Sequence, residues 1–306
     1  MSKLSHSVKK RFVKDYHLPI KLLDDDMLEY YVDLYDRTHN TKYNYANLKM
    51  AIYELDGEEG FMKEFNGLKD NIINDICNKE SYRELAHEPI PDAYIPVNQI
   101  SNQKIYTPMF HGTYMISIDM KQANFNSLKY YNPKIVDDAS TYDQFISGYT
   151  AQSYMKQSKQ LRQVIFGNLL PKKQQQIQKG ILAEIGDAII PNITNEVTKM
   201  GTDELIILNL DSATLNNTLA DVIFAIPNKF LDLVRVEVFR VEHIHPTKPF
   251  YARIYENGKV EIKNVPSVYY PQVYKKFFKI PFDYKDLLFE YEGDKVSFVD
   301  PLYSSY

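Results

Sequence analysis

The chain has 306 residues, enough for one large core or two modest ones, and its 44% hydrophobic and 25% charged residues are the composition of an ordinary folded protein. One cysteine, Cys77, excludes an internal disulfide framework and suits a reducing compartment, and a formal net charge of −4 argues against a chain that is basic throughout. No apolar run reaches membrane length and the start has no apolar leader core, so a soluble, intracellular, cytoplasmic protein with no membrane partner is expected.

Residues 1–86 predict a helical N-terminal domain. Asp24-Asp-Asp opens a segment with Met27, Tyr30, Tyr31 and Leu34 at helical spacing, and acids there suit a positive helix terminus. Tyr45–Leu55 and Gly60–Cys77 predict two further helices with apolar stripes. His6, His17 and His39 are isolated and are expected on the surface or in packing, and Cys77 is expected as a small buried residue. Residues 87–103 are proline-rich, cannot propagate a helix, and predict a linker.

A second domain is expected over 104–306. Tyr114, Ile116 and Ile118 alternate with smaller or more polar neighbours, the period of a strand closed by Asp119. A carboxylate there either holds a metal or reacting group or caps the next helix. A helical insertion over 141–199 breaks at Gly167–Pro171 and stops at Pro191. Leu205–Leu210 predicts a strand leading out of Asp203-Glu204, and Leu215–Ala225 a helix ended by Pro227. Over 231–306, Leu231–Val241 is an alternating strand with one wet face, and hairpins are expected around Asn257-Gly258 and Glu292-Gly-Asp.

Local charge differs from the total. Between Gln144 and Ala183 there is no Asp or Glu, yet Lys156, Lys159, Arg162, Lys172, Lys173 and Lys179 fall there. This is either a polyanion-binding footprint or a solvated helix face. The 25 tyrosines imply that many are partly exposed, where base stacking is one use. His243-Ile-His245 puts two imidazoles on one strand face without an evident third ligand.

Strand-end carboxylates at Asp119 and Asp203 can lie side by side in one sheet and hold two divalent cations, Mg2+ or Mn2+, for phosphoryl transfer. Lys159 and Arg162 would then hold a triphosphate, and Phe166 would stack on the incoming base or pack in the core. The order of these parts resembles that of template-dependent DNA polymerases. Asp119-Met-Lys-Gln-Ala-Asn is similar to motif A of the family A enzymes, Arg162-Gln-Val-Ile-Phe-Gly to the motif B helix, and Met200-Gly-Thr-Asp-Glu-Leu-Ile-Ile to motif C.

The resemblance implies an α+β fold: a helical N-terminal domain, then an antiparallel-sheet palm with a small fingers insertion. It implies metal ligation by Asp119 and Asp203, triphosphate contact by Arg162, nucleotide contacts at Gln122, Asn124 and Phe166, and an accessory acid in Glu204. Asn124 stands where the family has a sugar-gating Glu, Thr202 where it has His, Leu170 where it has Tyr, and Ser158 where it has a second basic residue. The segment from Lys248 to Pro266 resembles a family B strand, which implies Lys248 and Tyr251 near the primer or template backbone; from the basic stretch, Lys156, Lys172 and Lys173 are expected as further nucleic-acid contacts.

The expected activity is template-dependent nucleotidyl transfer, with primer-template and nucleoside triphosphates as partners and, by analogy, a virus as source. The alternative is a catalytically inactive relative that binds nucleic acid or a replication protein. A third reading is a viral structural protein with a tyrosine-rich surface.

Overall fold

Asp24 accepts the N–H of Met27 and so starts a helix whose first turn carries Asp25 and Asp26. The structure, a computed structural model, describes residues 3–95, 105–209, 211–300 and 302–303. The first helices are α1 (His6–Asp15), α2 (Asp25–Leu34), α3 (Asp36–His39), α4 (Thr41–Glu54), α5 (Glu58–Asn78) and α6 (Glu80–His87). Strand β1 (Tyr114–Met120) follows, then α7 (Ala123–Tyr131), α8 (Tyr142–Ser147), α9 (Ser153–Gln157), α10 (Lys159–Gly167) and α11 (Pro171–Ile189). The chain continues through β2 (Val197–Met200), β3 (Glu204–Asn209), α12 (Leu215–Ala225), β4 (Val234–His243), β5 (Tyr251–Tyr255) and β6 (Val260–Lys263). Helix α13 (Tyr270–Phe278) and strands β7 (Leu288–Tyr291) and β8 (Asp294–Ser297) complete it. The fold is therefore mixed α+β with an antiparallel sheet. Part of the expected linker 87–103, and Leu210 of the expected strand, lie outside the described residues.

The main sheet has the order β2-β3-β1-β4-β5-β6. Strand β3 lies between β1 and β2, and helices α7–α11 connect β1 to β2, which is a split β-α-β arrangement. Strand β1 pairs antiparallel with β3 and β4, so Asp119 stands opposite Glu204 on one side and Arg235 on the other. Cross-strand partners share a sheet face. Along β1, Ile116, Ile118 and Met120 are buried on one face, and Met115, Ser117 and Asp119 alternate onto the other. That second face is apolar at one end, where Met115, Ile206, Leu208, Phe239 and Val241 cluster with Tyr106, and charged at the end that carries Asp119.

Two compact units are interleaved along the chain, unlike the consecutive domains expected. One comprises Met1–Asp70, Tyr149–Val164 and Ile262–Tyr306; the other comprises Asn71–Gly148 and Ile165–Glu261. The division passes through α5 and α10, so the segment expected as one fingers insertion is shared between units. The physical reason lies in the first unit's core. Tyr154 of α9 packs edge-on against Phe61, and Tyr270 and Tyr274 of α13 pack edge-on against Tyr35. The N-terminal helices thus complete their apolar faces with rings from two later segments. The tyrosines divide as their number implies: Tyr43, Tyr53, Tyr94, Tyr130, Tyr284 and Tyr291 are exposed, whereas Tyr31, Tyr35, Tyr142, Tyr154, Tyr251 and Tyr274 are buried. Cys77, expected to be buried, is exposed.

Both expected hairpins form: β5–β6 at the edge of the main sheet and β7–β8 as a separate two-stranded sheet. No helix among the described residues is long and apolar enough to cross a membrane.

Candidate functional site

The turn that joins β2 to β3 places Asp203 beside the end of β1. The backbone carbonyl of Asp203 accepts the N–H of Met120 at 2.8 Å, one residue beyond Asp119. Gly201 in this turn has φ 63°, which favours glycine, and a Cβ there would lie 3.2 Å from Oδ1 of Asp203. Glycine thus permits the turn and leaves room beside the Asp203 carboxylate. Burial pushes the Asp203 carboxyl above the ordinary aspartate value, the charge of Glu204 adds to the rise, and backbone N–H groups of the turn oppose it.

Asp119 does not cap the following helix. The residue that starts α7 is Gln122, in the left-handed region at φ 46° and without a side-chain cap. The Asp119 carboxylate instead accepts two hydrogen bonds through Oδ2, from Nε (2.9 Å) and Nη2 (2.6 Å) of Arg235. Arg235 also meets Glu237 at 3.2 Å. Burial raises the Asp119 carboxyl, Arg235 restrains it, and the charges of Glu204 and Asp203 push it up further. The register pairs Asp119 with Glu204, and the Asp203 backbone adjoins Met120 at the same end of the sheet.

Glu204 is committed elsewhere. Its Oε1 accepts from Nη1 of Arg253 at 2.8 Å and from the Ser117 hydroxyl at 2.6 Å. Arg253 is buried, lies over the Phe239 ring at 4.7 Å and donates to the Tyr106 hydroxyl. Arg235, Arg253 and Ser117 were not found by sequence reasoning. Alternation placed arginines on β4 and β5, but only the register decides which carboxylate each one meets.

Asn124 and Thr202, two positions where the polymerase motifs are altered, are joined through Gln178 of α11. Gln178 Nε2 donates to Asn124 Oδ1 at 3.0 Å, and its Oε1 accepts from the Thr202 hydroxyl at 2.9 Å. Gln178 is buried and ties α7, α11 and the acidic turn together. Ser158, another altered position, is buried; it accepts the N–H of Leu161 and donates to Asp15, a role lysine or arginine cannot fill. Leu170 precedes α11 in the left-handed region at φ 52°.

Several expected contacts are not available. Phe166 is fully buried, packed edge-on against Phe125 and Tyr142, so it is a core residue and not a base-stacking platform. Tyr251 is buried and stacked on Tyr106 with centroids 4.0 Å apart, so its ring is closed to a nucleic-acid backbone. Lys173 donates to the carbonyls of Ala86 (2.9 Å) and Glu88 (2.6 Å) and so terminates α6.

Lys172 and Lys248 are exposed and Lys156 is half-buried. Lys159 and Arg162 belong to the other compact unit from Asp119 and Asp203, and there they crowd His17, whose pKa is lowered by burial and by both cations. His245 Nδ1 accepts the N–H groups of Thr247 and Lys248, which fits a turn role rather than a metal pair with His243. Compared with known protein families, with curated proteins and with solved structures, the chain matches none.

Proposed function

We propose that the acidic end of the main sheet is a nucleotidyl-transfer site of a minimal, DNA polymerase-like enzyme. The observation that carries this reading is the pairing of Asp119 with Glu204 together with the bond from Met120 N–H to the Asp203 carbonyl. Two acids 84 positions apart in the chain (203 − 119) are thereby brought to one end of one sheet. The split β-α-β order agrees with the order of the resembling motifs.

The donor set fits a hard divalent cation. Asp119 and Asp203 offer carboxylate oxygens, and Mg2+ or Mn2+ held by one or two carboxylates completes its shell with water and phosphate oxygens. When bound, such an ion activates an attacking hydroxyl and stabilises the leaving oxygen. The residues of this chain supply position: Arg253 and Ser117 turn Glu204 aside, Gly201 admits the Asp203 side chain, and Gln178 fixes the turn against α7 and α11. Primer-template and nucleoside triphosphates are the corresponding partners.

Primer extension with Mg2+ tests the proposal. Asp119→Ala and Asp203→Ala should each abolish incorporation while circular dichroism stays unchanged. Retained turnover in either folded variant rejects the assignment.

A second reading is a non-catalytic relative that binds nucleic acid or a replication protein. It is favoured by Arg235, which ion-pairs with Asp119, and by Arg253, which engages Glu204. It predicts salt-sensitive nucleic-acid binding without turnover.

A further inference from the structure

The nucleotidyl-transfer reading needs a cation for phosphate oxygens beside Asp119 and Asp203. Lys159 and Arg162 belong to the other compact unit, and Lys173 terminates α6. The register offers Arg235 instead. Strand β4 runs beside β1 and sets Arg235 opposite Asp119 and Glu237 opposite Ser117, on the face that also carries Glu204.

The two arginines of this face are held differently. Arg253 is 7% exposed and donates to Glu204 and to the Tyr106 hydroxyl, so opening its pair would strand buried charge. Arg235 is 48% exposed. Its Nε and Nη2 both donate to one oxygen of Asp119, Oδ2, at 2.9 and 2.6 Å, and its Nε lies 3.2 Å from Oε2 of Glu237. Among the described residues, Nη1 of Arg235 donates to no partner and Oδ1 of Asp119 accepts from none. A pair this wet is worth little, so the guanidinium can change partner at small cost. Glu237 is a second anchor already in contact.

Charge decides when that change occurs. Asp119, Asp203 and Glu237 outnumber Arg235 at this end of the sheet, so a phosphate is repelled while the guanidinium stays on Asp119. Both conditions reverse once Asp119 and Asp203 are offset by a divalent cation: the repulsion falls, and the guanidinium loses most of its attraction to Asp119.

We propose that Arg235 is the triphosphate-binding residue of this site, exchanging Asp119 for phosphate oxygens while Glu237 retains Nε. The inference rests on the nucleotidyl-transfer reading and adds to it the residue that meets the phosphates. The planar fork suits the role, since Nη1 and Nη2 can donate in parallel to two phosphate oxygens. The exchange couples the two ligands, so that cation and triphosphate each bind more tightly when the other is present.

Calorimetric titration of the full chain with deoxyadenosine triphosphate in saturating Mn2+ tests the exchange; with no primer added, it measures binding alone. Arg235→Gln should weaken triphosphate binding about tenfold, while bare Mn2+ binds no more weakly than to the natural sequence. Arg235→Lys keeps the charge and loses the fork, so its affinity should fall between, and it keeps the test decisive if Arg235→Gln perturbs folding. Lys121→Gln removes an exposed cation just beyond β1 and should change the affinity by less than about twofold. Equal losses in Lys121→Gln and Arg235→Gln would make the effect one of general charge and overturn the proposal. Undiminished triphosphate affinity in both Arg235 variants would also overturn it, and the nucleotidyl-transfer reading would stand without it if Asp119→Ala still abolished Mn2+-dependent binding. If Mn2+ does not strengthen triphosphate binding to the natural sequence and Asp119→Ala changes nothing, the reading and the inference fall together.

Discussion

Asp119 of β1 and Arg235 of β4 stand directly opposite each other in the antiparallel ladder and are joined by two hydrogen bonds to a single carboxylate oxygen. The positive charge nearest the proposed cation site is thus part of the protein. A divalent cation must compete with Arg235 for Asp119. Mn2+ titration should show tighter binding in Arg235→Gln than in the natural sequence, and binding weakened about tenfold or more in Asp119→Asn. Because burial raises both the Asp119 and Asp203 carboxyls, each gains its proton at a higher pH than a free aspartate. Cation affinity should therefore fall as pH is lowered. Affinity that is flat with pH and blind to Arg235 would remove this account.

Glu204 and Arg253 predict a structural effect where the motif resemblance implies a catalytic one. Both side chains are largely buried, at 14% and 7% exposed, and meet at 2.8 Å. Removing one partner of such a pair leaves the other uncompensated, at a cost of about 3–5 kcal/mol. Glu204→Gln should lose about that much in urea unfolding, and Glu204→Gln with Arg253→Met should lose less than the first change alone. Equal or greater loss in the double variant would argue against the pair.

Gln178 is the clasp between Asn124 and Thr202. Gln178→Leu keeps the volume approximately but strands an amide oxygen and a hydroxyl, so a loss of about 1–3 kcal/mol is expected. If the acidic turn depends on this clasp, the same variant lowers nucleotide incorporation more than its stability loss explains. Unfolding and primer extension on one preparation separate the two effects.

Asp15 predicts a pH effect on stability in the first unit. It is fully buried, accepts from the Tyr154 hydroxyl at 2.7 Å and from Ser158 at 3.0 Å, and meets Arg11 at 3.6 Å. Burial pushes its carboxyl up to about 6, and the Tyr154 hydroxyl and Arg11 restrain the rise. The folded state therefore binds more protons than the unfolded chain between the ordinary value of 3.8 and about 6. This contribution is full below pH 3.8 and is lost as pH rises through 6. The shift is worth about 3 kcal/mol. Asp15→Asn should gain stability relative to the natural sequence by roughly that amount between pH 4 and pH 7. A difference constant across that range would show that Asp15 does not titrate in the folded protein.

Elements were legible where the signal is local. Alternation marked β1 and β4, a short apolar run marked β3, Asn257-Gly258 marked the β5–β6 turn, and Pro191 and Pro227 marked helix ends, because each depends on backbone conformation within a few residues. Helix α13 and strand β2 were not found. The first is packed with large aromatic residues, and the second is four residues long, too short to show a period.

By itself the sequence determined that the chain is α+β, where β1, β3 and β4 run, and that one acid closes β1 while two others lead into β3. Side-chain spacing repeats with backbone geometry, so those properties need no distant partner. Tertiary structure alone decided that Asp119 faces Arg235, that Glu204 turns to Arg253, that Phe166 and Tyr251 are core residues, and that the two units are interleaved. Those outcomes follow from strand register and from which apolar faces need covering, and both are settled between residues far apart in the chain.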